Sequence, residues 1–174
     1  MIIIEDGTGV AGANSYASVE TADSYHSARG NSTWTEASTS PDQGKTAALI
    51  RATQSLDAIY RSRFPGTKTN GRDQTLEWPR TDATDAEDEV IDDEEIPTEV
   101  IHALCELALR ELVEAGSTTP DLERGGAIKR LKAGSVEIEY GSNASLNTTF
   151  QTVDGILAGL LGAASPYTAR AVRG

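Results

Sequence analysis

Helical spacing of apolar positions recurs in four stretches of this chain, and strict alternation appears in one. Val19, Ala22, Tyr25 or His26, and Arg29 share one face, which predicts a helix with Ser18 as N-cap and Gly30 just past its end. A second helix is expected from near Ser40, with Pro41 at the permissive first position. Leu49, Ala52, Leu56, Ile59 and Tyr60 give it one buried stripe through about Phe64, and Pro65-Gly66 stops it. The strongest pattern is PTEVIHALCELALRELVEAG. Pro97 opens this helix, Glu99 suits its positive end, and Gly116 closes it. Val100, Ile101, Leu104, Cys105, Ala108 and Leu112 form its apolar face. Val153, Ile156, Leu157, Leu160 and Leu161 mark a shorter amphipathic helix.

The alternating stretch is SVEIEY, where Val136, Ile138 and Tyr140 interleave with Glu137 and Glu139. Ala133-Gly134 could turn a hairpin whose other arm is AIKRLK, setting Lys and Arg opposite Glu. NSTWTEASTS reads as a polar loop holding one Trp. From Thr67 to Glu95 no clean period survives, although Pro79 keeps Trp78 out of helical angles and LEWPRT reads as extended. The expected fold class is mainly α: a small helical bundle with a β-hairpin and extended N- and C-terminal arms. Its plan is an N-terminal arm over 1–17, a helical domain over 18–162 with an acidic loop at 82–96 and a hairpin at about 126–140, and a tail over 163–174.

Composition adds that the core is modest. Of 174 residues 38% are hydrophobic and 5% aromatic, so some segments should order only against partners. The net charge is −12, and ten carboxylates lie between Asp82 and Glu99 with no Lys or Arg among them; removing those ten leaves −2. The acidity is one local feature. The single Cys105 excludes an intrachain disulfide, and no apolar run suggests a signal peptide or a membrane span. The sequons at Asn31, Asn143 and Asn147 then read as chance matches.

Candidate chemistry is sparse. GTGVAG, Gly7 to Gly12, fits the dinucleotide fingerprint letter for letter, but it lacks the preceding buried strand and the helix that opens on the glycines. It is expected to be a turn and no nucleotide site. His26 and His102 share no motif, and Cys105 points into an apolar face as a core residue. DATDAEDEVIDDEE lacks the glycine and spacing of a calcium loop. Lys129, Arg130 and Lys132 are the only Lys-rich cluster, and no aromatic platform accompanies them. No catalytic residue, cofactor or metal ligand is expected, and the chain does not read as an enzyme.

Three stretches together carry a resemblance: IEDGTGVAGANSYASVETADSYHSARG, AALIRATQSLDAIYRSRFPGTKTNGRDQTLEWPRT and EIPTEVIHALCELALREL. Spanning about Ile3 to Leu112, they resemble the head–tail connector (head-completion adaptor) proteins of tailed bacteriophages. Many of those are labelled DnaT-like single-stranded DNA-binding proteins. The resemblance implies a structural protein of the virion neck, assembled in the host cytoplasm as a ring, commonly of twelve copies. Its partners would be itself, the portal protein, a downstream neck, stopper or tail protein, and duplex DNA in passage. It further implies that Tyr167, Arg170 and Arg173 anchor a C-terminal tail on the portal. Asp85, Glu87, Asp88, Glu89, Asp92, Asp93, Glu94 and Glu95 could face the DNA channel, where carboxylates repel phosphates. The alternative is a single-stranded DNA-binding replication accessory protein, against which the acidic balance and scarce aromatics weigh.

Overall fold

Two long helices pack across each other at the centre, and the remaining elements cover their apolar faces. The computed structural model describes residues 1–37, 43–119, 130–133, 136–139 and 150–161, with backbone alone for residue 43 and for the strands at 130–133 and 136–139. In chain order these are α1 (Val19–Ala28), α2 (Ser32–Thr35), α3 (Gln43–Tyr60), β1 (Thr67–Lys68), β2 (Arg80–Thr81), α4 (Thr98–Val113), β3 (Arg130–Ala133), β4 (Val136–Glu139) and α5 (Gln151–Leu161). The fold is mainly helical with a small antiparallel hairpin, as the periodicity predicts.

The predicted stripes form the core. Leu49, Ala52 and Leu56 of α3, Val100, Leu104 and Ala108 of α4, and Val153 and Leu157 of α5 have no exposed surface. Each large aliphatic side chain among them contributes about 1.5–3 kcal/mol by leaving water. Ser18 caps α1 by accepting the Thr21 N–H at 3.0 Å, and Gly30 takes φ +65° just beyond the helix. The expected start of the second helix at Ser40 and Pro41 lies outside the described residues. That helix ends at Tyr60, earlier than expected, although Phe64 N–H still bonds back to the Tyr60 carbonyl at 3.2 Å.

Two local expectations need correction. NSTWTEASTS is not all loop, because Ser32–Thr35 make one helical turn around Trp34. Its driving force is a single large side chain, too little to produce a period. Trp34 is fully buried, and its Nε1 donates to Asp23 Oδ1 at 2.7 Å. The α4 helix stops at Val113, three residues before Gly116. The cause is Glu111, a buried carboxylate that accepts Gly116 N–H at 2.8 Å and Thr118 N–H at 3.1 Å, drawing the chain out of the helix.

Of LEWPRT only Arg80–Thr81 form a strand, while Leu76, Glu77 and Pro79 bend. The Trp78–Pro79 peptide is cis, and β2 pairs antiparallel with β1 in the register Thr67↔Thr81 and Lys68↔Arg80. The buried Arg80 guanidinium ties this turn together, with Nε donating to Pro65 O at 2.6 Å and Nη2 to Gly66 O at 2.9 Å. Further along, β3 and β4 pair with Arg130 opposite Glu139 and Lys132 opposite Glu137, the charge pairing read from the alternation. Tyr167, Arg170 and Arg173 lie outside the described residues.

Candidate nucleic-acid interface

The glycine loop binds an anion, and that anion belongs to the chain itself. Glu5 is buried, and its Oε1 accepts the N–H of Gly7 at 3.1 Å and of Gly9 at 2.8 Å. Gly7, Gly9 and Gly12 all sit at positive φ (+103°, +77° and +75°), so successive amides can turn toward one acceptor. The loop is closed by Asn14, whose N–H donates to Ile3 O at 2.8 Å, and by Glu5 N–H to Ser15 O at 2.9 Å. No helix begins on the glycines, since α1 starts at Val19. The fingerprint is therefore a turn filled by Glu5, in line with the expectation from its context.

Gly7 has a second role. A Cβ there would lie 1.7 Å from the Glu94 carbonyl oxygen, against 3.9 Å from the nearest atom, Ile3 Cδ1, at Gly12. The loop and the acidic tract thus touch backbone to backbone. Gly7→Ala should destabilise the fold by about 1–3 kcal/mol from the backbone angle alone, and clearly more than Gly12→Ala. Urea denaturation of the two variants checks this; equal midpoints would mean that the Gly7–Glu94 contact does not form.

The histidines and the cysteine serve packing. His26 Nε2 donates to the Cys105 carbonyl at 3.2 Å, which leaves Nδ1 to accept from Asn31 Nδ2 at 2.9 Å. Burial pushes its pKa down, so the neutral ring matches both partners. His102 is half-buried and leans on Tyr25, with ring centroids 4.9 Å apart. Cys105 is fully buried and its thiol is pushed up to about 12 by desolvation, so it behaves as a small core residue. A polar anchor that no pattern revealed joins α3 to the Trp78 segment. Tyr16 OH donates to Asp57 Oδ1 at 2.7 Å and accepts the N–H of Glu77 at 3.0 Å and of Trp78 at 3.2 Å. Burial raises the Asp57 carboxyl to about 6 despite the hydrogen bonds from Tyr16 and Glu77.

The acidic tract is folded on its own backbone. Asp85 Oδ1 accepts Glu87 N–H at 2.8 Å and Glu89 N–H at 3.0 Å, and Asp92 Oδ1 accepts Glu94 N–H at 2.9 Å. Thr84 and Val90 form an antiparallel bridge across it, and Ala86 N–H reaches the Gly159 carbonyl of α5 at 2.8 Å. Most of its carboxylates, among them Glu87, Asp88, Glu89, Asp92, Asp93, Glu94 and Glu95, are exposed.

Cationic charge collects elsewhere. Residues 43–72 hold six Lys or Arg and one carboxylate, the buried Asp57. Within that stretch Lys45 is buried on Asp23 and Arg51 is held by Glu111, both at 2.8 Å. Arg61, Arg63 and Arg72 are exposed, and of these only Arg63 has a carboxylate partner among the described residues, Asp154 at 3.4 Å. Attention to Lys-rich runs overlooks this group; the signal for it is a thirty-residue scarcity of carboxylates. Every aromatic ring among the described residues is buried, from Trp34 and Trp78 with no exposure to Tyr25 at 7%. None of these offers a free face for a base.

A protein-family model described as "Putative DnaT-like ssDNA binding protein" matches residues 1–174. The chain belongs to that family. No curated protein and no solved structure matches it. Membership in the DnaT-like family overturns the head–tail connector assignment, and with it the dodecameric ring, the portal and neck partners and the virion-structural role. The tail-docking role of Tyr167, Arg170 and Arg173 and the channel-facing role of the tract rested on the same resemblance and are withdrawn with it. The single-stranded DNA-binding alternative stands second in the sequence reading because the acidic balance and scarce aromatics weigh against it. Binding to a polyanion depends on cations that meet phosphates locally, and a net charge summed over the whole chain does not report on them.

Proposed function

We propose that the chain binds single-stranded DNA through its cationic segment, with Arg61, Arg63 and Arg72 meeting phosphates. The whole-chain match to the DnaT-like family carries this reading, and the scarcity of carboxylates over residues 43–72 supports its location. The recognition is electrostatic. Guanidinium groups pair with phosphate oxygens in any sequence context, so the strand should be held without regard to base identity. Catalysis has no part in this proposal.

Fluorescence anisotropy with a labelled oligothymidylate, titrated at several salt concentrations, tests it. Affinity should fall steeply as salt rises. Replacing Arg61, Arg63 and Arg72 together by Ala should reduce the magnitude of the log K against log salt slope by about 2, given about 0.7 per phosphate contact on a single strand. A wild-type protein that leaves the oligonucleotide free at low salt, or that prefers duplex, would overturn the reading. An unchanged slope in the triple variant would move the site away from this segment.

A further inference from the structure

Beside the cationic segment lies a cleft of about 320 Å³. One wall is a single face of α3, where Arg51, Gln54, Ser55 and Ala58 follow at three- and four-residue spacing, and Gly116 and Thr119 from the loop after α4 make the other. Arg61 follows the last residue of α3 and lies outside the cleft lining, its N–H and Nε both donating to the Asp57 carbonyl, at 3.0 and 3.3 Å. Arg51 is the one cationic side chain that lines the cleft among the described residues.

Arg51 is held in place. Its Nε donates to Glu111 Oε2 at 2.8 Å and its Nη2 to the Glu111 carbonyl at 3.1 Å, which leaves Nη1 without a partner among the described residues. The Glu111 carboxylate is shared with Gly116 N–H, Thr118 N–H and the Thr118 hydroxyl, so its charge is spread over the loop as well as over Arg51. The side chain of Arg51 remains 38% exposed. Beside Arg51 the cleft presents the amide of Gln54 and the hydroxyl of Thr119, next to the small Ala58 and Gly116, while the Ser55 hydroxyl is already bonded to Thr118 Oγ1 at 2.7 Å.

We infer that this cleft is a subsite for one nucleotide unit of a single strand, with a phosphate at Arg51 and a sugar or base edge against Gln54 and Thr119. The inference rests on the proposed single-strand binding and adds a subsite to it. A cleft of this volume has room for a single nucleotide unit. Small side chains at 58 and 116 leave the space open, and the polar groups supply donors and acceptors without selecting a base.

Thiol footprinting tests the subsite. The native Cys105 is buried and its thiol is pushed up to about 12, so it should stay silent toward a maleimide. Ala58 and Ala158 are both exposed, the second on α5 next to the acidic tract. Ala58→Cys and Ala158→Cys each install one reactive thiol in the full chain. Saturating oligothymidylate, with binding confirmed by anisotropy on the same sample, should slow labelling of Ala58→Cys at least fivefold and leave Ala158→Cys unchanged. Bound oligonucleotide with no protection of Ala58→Cys would overturn the cleft while sparing the proposed function. Equal protection of both variants would also overturn it, since the strand would then not be confined to this face. Absence of any binding by the wild type would overturn both.

Discussion

Leu104→Asp should leave the protein without a cooperative fold. Leu104 sits on α4 with no exposed surface, inside the stripe that meets α3, α1 and α5. A carboxylate there loses its hydration and finds no cation: Arg51 is already turned to Glu111, and Lys45 to Asp23. The substitution also removes the apolar area that Leu104 hides. An uncompensated buried charge plus a lost core side chain exceeds about 4–5 kcal/mol, much of the total stability of a domain this size. Far-UV circular dichroism and a thermal melt decide it. A soluble Leu104→Asp protein melting near the wild type would show that α4 is not the central helix.

The second large effect is expected at Glu111. This residue is 1% exposed, and four donors converge on its carboxylate: Arg51 Nε, Gly116 N–H, Thr118 N–H and the Thr118 hydroxyl. Burial alone would raise its pKa, but these bonds outweigh burial and hold the carboxyl down at about 2. Glu111→Ala strands the buried Thr118 N–H, which costs about 1–3 kcal/mol, and also takes the charged acceptor from Gly116 N–H and Arg51. A loss of about 3 kcal/mol is therefore expected, with the loop 114–119 loosening first.

The sign with pH follows from the same shift. A carboxyl that is more acidic in the folded state is protonated first in the unfolded chain, so acid favours unfolding. Its stabilisation is fully present above about pH 4.5 and drains away as pH falls toward 2. Asp57 acts in the opposite sense. Its folded pKa of about 6 exceeds the ordinary 3.8, so its contribution weakens as pH rises from about 4 to 6. His26, pushed down by burial, restores the first sense below its ordinary 6.5. Urea midpoints of wild type and Glu111→Gln between pH 2 and 5 isolate the first of these. The wild type should lose stability across that range while the variant stays flatter; parallel curves would refute the Glu111 assignment.

The helices were legible because their cores are stripes of several residues each, and the hairpin because alternation sets its pairing. What escaped detection depends on single side chains or on contacts distant in sequence. Trp34 organises a helical turn alone. Tyr16 and Asp57 meet across forty-one positions, and Glu111 reaches forward to amides that only a folded loop presents. The cationic segment was obscured for a different reason: its charge lies in the scarcity of carboxylates over residues 43–72, while clustered lysines are the more conspicuous signal. Glu111 itself falls on the face of α4 that periodicity assigns to the core, and a polar letter among apolar ones was its available signal.

Glu5 in the glycine turn has a consequence for how such patterns are read. Since the occupant is tethered two residues upstream, it can never be diluted away, and metabolite levels in the cell have no purchase on the turn's shape. An acidic letter just ahead of the first glycine, as in EDGTGVAG, is then a cheap discriminator between a self-satisfied loop and a genuine cofactor cradle.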